Sequence, residues 1–245
     1  MKKDFAHYLL EKTQRDYNLI AEDFSRTRQN IPPDFKQFLQ PYFSFDSQIK
    51  ILDWGCGNGR FYSLFKDCLY YGVDISENLI NLAKQEYPSA KFFLLHSPLS
   101  LPFDNNFFDE IICLAVFHHI PSQEFRQQFL QEAWRVLKPN GIMLLTVWDL
   151  RIGWLLRSGN WKRLFLRIKY FFLHLFGRTP LNGGDFYIPW AHQCNRYLHA
   201  FSFKELNKLF QTTGFQILQS GTRKDFIHSK ERNIYFFVRK TKFPQ

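Results

Sequence analysis

Cysteine is scarce: Cys56, Cys68, Cys113 and Cys194 are the four in 245 residues, and no pair has a C-x-x-C spacing. That argues against a disulfide framework and a structural zinc site, and fits the reducing cytoplasm. Long apolar runs are absent too. No stretch of about 18 uncharged apolar residues occurs, so no membrane-spanning helix is expected. "MKKDFAHYLL" is too charged to read as a signal peptide. Acidic residues are in deficit, 22 Asp and Glu against 32 Lys and Arg, for a net charge of +10. The surplus favours polyanionic partners, either nucleic acid or an anionic membrane face. No internal repeat or low-complexity tract stands out. Aromatic residues, by contrast, abound: 29 Phe, 11 Tyr and 6 Trp. Disordered chains are poor in them, and this length suffices for one large core, or one core with an appended lobe.

Residues 1–45 read as helix in two pieces, broken at Pro32 and Pro33, with Asp34 leading the second piece, "FKQFL". "IKILDWGCGNGR" is an apolar strand running into a glycine loop, after which "FYSLF" starts a helix. "YYGVDIS" is a second strand. "SENLINLAKQEY" is a helix with Ser76 as its N-cap and Glu77 in its first turn. "KFFLLHS" is a third strand, and "FDEIICLAVFH" a fourth, too continuously apolar to be half exposed. The amphipathic helix "SQEFRQQFLQEAWRVLK" stops at "PNG", and "GIMLLTVWD" is a fifth strand. Such alternation predicts an α/β fold, a parallel sheet with helices on both faces. The alternation lapses after residue 150. It resumes with a helix over 202–213 and two strands, "FQILQSGT" and "NIYFFVRK", close enough for antiparallel pairing.

"DWGCGNG" spans Asp53 to Gly59. Glycines at 55, 57 and 59 let the backbone turn off the first strand and come close to a ligand. The spacing G-x-G-x-G is not the dinucleotide fingerprint, and the loop has no lysine for phosphates. Asp53 can receive an ammonium group or order the turn. Asp74 ends the second strand, where a carboxylate can bond both hydroxyls of a ribose. An acid for an amino-acid moiety and an acid for a ribose suit S-adenosylmethionine better than NAD or ATP.

"ILDWGCGNG", "YGVDIS", "LPFDNNFFDEI" and "EAWRVLKPNG" together resemble the class I S-adenosylmethionine-dependent methyltransferases over residues 48–149. The resemblance implies a Rossmann-like seven-stranded sheet of order 3-2-1-4-5-7-6 with strand 7 antiparallel. Asp53, Gly55 and Gly57 would line the methionine end of the cofactor, and Asp74 and Ile75 its ribose and adenine. Cys56, Gly59, Ser97, Leu99 and Ala115 complete the expected cofactor set. Many members carry an acid after strand 3, near the adenine amine; here "HSPLSLPF" puts Ser97 there, which implies a weaker hold. The chain then divides into a helical cap (1–45), a cofactor-binding core (46–149), a basic aromatic insertion (150–185) and a C-terminal part of the same sheet with a substrate-side segment (186–245).

A narrower resemblance follows from "YNLIAEDFSRTR", "LAVFHHIP", "VWD", "FYIPW" and "NRYLHAF". They look like the methyltransferases that esterify 5-carboxymethyluridine at the wobble position of tRNA. An amine acceptor is disfavoured, because "AVFHHIP" stands where Asn/Asp-Pro-Pro-Tyr motifs occur. A carboxylate is already ionised at neutral pH and needs no general base. It needs cations and donors to orient it, and Arg28, Arg196, His119, His199, Tyr17 and Tyr197 are the right types. By resemblance, Arg28, His119 and Arg196 fall on the family's proposed active-site positions. The competing readings are a small-molecule or lipid O-methyltransferase at a membrane surface, and a non-catalytic cofactor-binding scaffold.

Residues 150–184 hold Arg151, Arg157, Lys162, Arg163, Arg167, Lys169 and Arg178 and no acid, interleaved with aromatics. This segment reads in three ways: a platform for the tRNA anticodon loop, an interfacial membrane helix over 161–176, or a lid with a solvated basic face. "KFFLLHS" forms an apolar sheet edge that invites pairing. Relatives in eukaryotes use a small zinc-binding activator subunit thought to add a strand there; cover by the chain's own N-terminal helices would serve the same end. "CLAVFHHIP" (113–121) places two histidines at the end of strand 4. Neighbours on an extended chain face opposite ways. His119 is therefore expected to donate a hydrogen bond into the acceptor pocket, His118 to pack, and no metal to bind.

Overall fold

The computed structural model describes residues 1–224 and 232–241. Residues 225–231 and 242–245 of the expected C-terminal segment lie outside the described residues. Three helices come first: α1 (Lys3–Leu19), α2 (Ala21–Thr27) and α3 (Phe35–Leu39). The break between α1 and α2 falls at Ile20, without a proline, so the first expected piece is itself two helices. The sheet then forms from β1 (Lys50–Trp54), β2 (Leu69–Asp74), β3 (Lys91–Leu94), β4 (Phe108–Leu114) and β5 (Leu137–Trp148). Between them lie α4 (Glu77–Glu86) and α5 (Gln123–Val136). Ser76 caps α4 as expected, its hydroxyl accepting from the Leu79 amide at 3.3 Å. Next come α6 (Ile152–Arg157), α7 (Trp161–Leu175), β6 (Asp185–Trp190), β7 (Cys194–His199), α8 (Phe203–Thr212), β8 (Phe215–Lys224) and β9 (Arg232–Lys240).

The sheet runs β3-β2-β1-β4-β5-β9-β8, with β9 antiparallel to both neighbours. Counted within the sheet alone, that is 3-2-1-4-5-7-6, as the resemblance implied. β6 and β7 stand apart as an antiparallel hairpin. Their residues had not been read as strands. One core layer seats Leu10 of α1, Phe129 of α5 and Phe210 of α8 on one face of the sheet. The other seats Phe35 and Leu39 of α3, Ile80 of α4 and the rings of Phe61 and Phe65 on the opposite face. Trp54 stacks on Phe129 at 3.8 Å between centroids, locking α5 onto β1.

Three local expectations need correction. "FYSLF" makes only a 3-10 turn, Arg60–Leu64, because Phe61 and Phe65 drop straight into the core and β2 must begin at Leu69. "PNG" lies inside β5, which starts at Leu137 directly after α5, with a register shift against β4. β4 ends at Leu114, not at the histidines. Ala115 turns left-handed (φ 58°), and Phe117–His119 form a 3-10 turn. The two rings are therefore not on an extended chain.

Candidate active site at the carboxyl edge of the sheet

β1, β2, β4 and β5 point their carboxyl ends at one edge, and the strand order reverses between β1 and β4. A parallel sheet leaves a crevice at such a point. Here it is a cleft of about 1000 Å³, measured out to its open mouth, walled by the glycine loop, α1, α2, the turn after β4 and the hairpin.

The glycine loop is shaped by what surrounds it. Gly55 has φ 81°, and a Cβ there would meet Val116 at 2.2 Å, so the loop and the turn after β4 touch without room for a side chain. Asp74 Oδ2 accepts from the Gly57 amide at 2.9 Å and Oδ1 from Ser76 at 2.8 Å. A carboxylate has about four lone-pair sites, so Asp74 keeps capacity for hydroxyls while it holds the loop. Asp53 is buried in the cleft wall and accepts from the Tyr70 hydroxyl at 2.7 Å. Burial pushes its carboxyl up to about 7. The pair of acids, with Gly55, Cys56, Gly57, Ile75 and Ala115 beside them, fits an amino acid joined to a nucleoside. Gly59, Ser97 and Leu99 do not line the cleft. Ser97 Oγ accepts from the Leu99 amide at 3.2 Å in a local turn, Leu99 is core, and Leu95 and Pro98 present themselves instead.

On the other side stand the cations. Tyr17, Arg28, His119 and Arg196 all line the cleft, brought together from α1, the end of α2, the turn after β4 and β7. Arg196 is 4% exposed and pairs with no carboxylate among the described residues. Its guanidinium sits 4.5 Å from the Trp190 ring centre, and that of Arg28 sits 4.9 Å from the same ring. Arg196 donates to the Tyr17 oxygen at 3.3 Å, and Tyr17 lies 2.8 Å from Nε2 of His119. His119 Nδ1 is 2.8 Å from the Tyr197 carbonyl, which only accepts, so Nδ1 carries the proton and Nε2 takes that of Tyr17. Burial, then the charge of Arg196, press His119 down to about 3. It is neutral and its donor is spent on the backbone. The donors that face the cleft belong to Arg196, not to His119 as expected, since His119 spends its Nδ1 proton on the Tyr197 carbonyl and Tyr17 spends its own on His119.

His118 packs, but for another reason than alternation. The 3-10 turn buries it against Trp148, whose amide donates to Nδ1 at 3.3 Å. His199 does not line the cleft. Its two ring nitrogens meet Asp185 at 2.6 Å and Glu205 at 3.0 Å, in a buried network with Arg126 and Tyr197. That network fastens the hairpin carrying Arg196 to α5 and α8. Tyr197, also of the expected type, points its hydroxyl there rather than into the cleft.

Sequence reasoning passed over three contributors. Arg60 lines the cleft beside Asp53, and burial, then the charge of Arg28, lowers it to about 10. Asn58 donates to Ser25 and to the Arg28 carbonyl, tying the loop to α2. Trp190 needed the hairpin to be recognised. For Arg60 a signal existed: it follows Gly59 directly, at the mouth of the loop.

A methyltransferase-domain model matches residues 52–145. A putative methyltransferase of Encephalitozoon cuniculi is 31% identical over 216 residues, 86% of this chain and 90% of that one. A tRNA (carboxymethyluridine(34)-5-O)-methyltransferase of Arabidopsis thaliana is 37% identical over 134 residues, 55% of this chain but only 32% of its own length. A Schizosaccharomyces pombe protein of the same name is 28% identical over 243 residues, 89% and 94% of the two chains. Among solved structures, a methyltransferase of Methanosarcina mazei superposes with a TM-score of 0.69 at 23% identity, covering 86% of this chain and 99% of its own. The methyltransferase in a complex with the Haloferax volcanii Trm112 activator gives 0.65 at 12% identity, over 95% and 99%. With the glycine loop, its two acids and the sheet order already in place, these similarities show that the chain belongs to the S-adenosylmethionine-dependent methyltransferases.

Proposed function

We propose that this enzyme methylates the carboxylate of a carboxymethyl-type wobble uridine in tRNA, in the cytoplasm. When bound, S-adenosylmethionine supplies a methyl group on a cationic sulfur. Asp53 is assigned to its amino group, Asp74 and Ile75 to its nucleoside. The observation that carries the acceptor assignment is Arg196, a buried guanidinium facing the cleft with no carboxylate partner among the described residues. Arg28 and Arg60 line the same cleft and add positive charge to it. A neutral phenol or lipid hydroxyl would bring no negative charge to Arg196, and a buried charge without a counter-charge is costly. The acceptor oxygen attacks as it stands; no base has to remove a proton. Positioning therefore supplies most of the rate, and Arg196, held by the Tyr17 oxygen, does the positioning. The Arabidopsis and Schizosaccharomyces relatives act, by name, on that base. Mass spectrometry of tRNA nucleosides with and without the gene tests the reading. Loss of the methyl-ester uridine is the expected result, and an unchanged amount would contradict it.

The reading extends to a partner. On β3 the side chains of Phe93 and Leu94 are each more than a third exposed at the end of the sheet, so the N-terminal helices leave them in solvent. A small zinc-binding activator subunit adding a strand there would cover them. Full activity of the monodisperse chain alone would remove that part of the proposal.

A further inference from the structure

α7 packs Leu164, Leu166 and Tyr170 inward yet keeps a second apolar face. Its cationic residues Arg163 and Arg167 turn inward: Arg163 lies 4.8 Å above Trp148, and Arg167 lies 5.3 Å above Phe186 and donates to the Gly184 carbonyl at 2.8 Å. A second set of apolar residues turns outward. Trp161 is 64% exposed, Phe165 66% and Phe176 67%, with Ile168, Phe172 and Leu175 beside them. At 100° per residue these six fall within one strip of the helix surface. Ile152 and Leu156 of α6 are exposed as well. A lid with a solvated basic face would not account for this apolar strip. A contiguous apolar surface on a folded chain marks an interaction site.

We propose that the outer face of α6 and α7 docks on an anionic lipid bilayer. The charge around the strip selects that occupant. Arg157, Lys162, Lys169 and Arg178 are exposed at its borders, and residues 150–184 contain no Asp or Glu. A second copy of the chain would bring these cations against their own kind. An RNA would stack on the rings but find aliphatic side chains at Ile152, Leu156, Ile168 and Leu175, and two of the helix's arginines turned away. A bilayer takes aromatic and aliphatic groups into its headgroup boundary and offers anionic headgroups to the flanking lysines. No helix among the described residues is long and apolar enough to cross a membrane, so the contact is one of lying on the surface. The inference is independent of the tRNA reading, since no residue of α6 or α7 lines the cleft.

The test is co-sedimentation of the full chain with vesicles of phosphatidylcholine, with and without phosphatidylserine. Two variants accompany it, F165S/F172S and K162E/K169E, each checked by its circular dichroism melt and its methyl-transfer activity. The side chains changed are solvent-exposed, so both are expected to melt with the parent. Binding should require phosphatidylserine. It should fall at least about tenfold in F165S/F172S and by a similar factor in K162E/K169E. Three results would overturn the proposal: no sedimentation with either vesicle, a concentration-dependent dimer that F165S/F172S abolishes, or a tRNA affinity that falls in the same variants while vesicle binding is absent. The vesicle assay contains no tRNA, so its failure says nothing against the methyl-transfer reading.

Discussion

Under the proposed function, Arg196 is the residue that turns a generic cofactor fold toward one acceptor. Among the described residues no carboxylate pairs with it, yet it is buried, and burying a lone charge is costly unless a ligand completes the pair. Arg196→Gln is therefore expected to lower kcat/KM by about 10–100-fold, the worth of a charge-assisted hydrogen bond, with S-adenosylmethionine affinity little changed. Steady-state kinetics with a calorimetric Kd would separate the two, and an equal loss in both would refute the assignment. His119 gives a different kind of prediction. Its folded value near 3 lies below the ordinary 6.5, so the native state binds fewer protons than the unfolded one between those values. Its stabilisation is present above pH 6.5 and is lost as pH falls toward 3. Urea denaturation from neutral pH downward should show a shallower loss in His119→Gln than in the parent; identical slopes would contradict the burial argument.

At the scale of elements, the strands and main helices were legible because each carries a continuous apolar run or a period near 3.6, bounded by glycine, proline or serine. What failed was the meaning of short segments whose conformation is set by neighbours. The residues after Leu114 are as apolar as the strand before them, yet the chain turns at Ala115 and brings Val116 against Gly55, a contact made across the fold and not along the sequence. The hairpin was illegible for a related reason: "FYIPW" holds a proline and lacks alternation, and the hairpin is held by the core cluster of Phe186, Ile188 and Leu198 and by the Asp185, His199 and Arg126 network, which no local pattern announces. The cofactor side of the cleft was legible from the glycines and two acids, whereas Arg60, Asn58 and Trp190 depended on packing across four elements. Gly55→Ala tests the loop directly. With φ 81° and Val116 in the way, the added methyl must displace the loop or the turn. Cofactor binding measured by calorimetry should be lost while far-ultraviolet circular dichroism persists; unimpaired binding would contradict the close-contact account.

For the whole molecule, one sheet supports two surfaces of different character. The carboxyl edge gathers acids on the cofactor side and arginines on the acceptor side, while α6 and α7 present apolar rings to solvent. The net charge of +10 serves both, drawing polyanions without choosing among them. Composition alone could therefore point to nucleic acid or membrane, and only the placement of side chains divided the two between different faces. The most direct measurement uses the purified chain with methyl-labelled S-adenosylmethionine and three forms of one tRNA: bearing 5-carboxymethyluridine at the wobble position, bearing the corresponding amide, and unmodified. Label should enter the carboxylate form alone and leave it on mild alkaline treatment, as an ester does. Label that enters the amide or unmodified tRNA, or that survives alkali, would contradict the account.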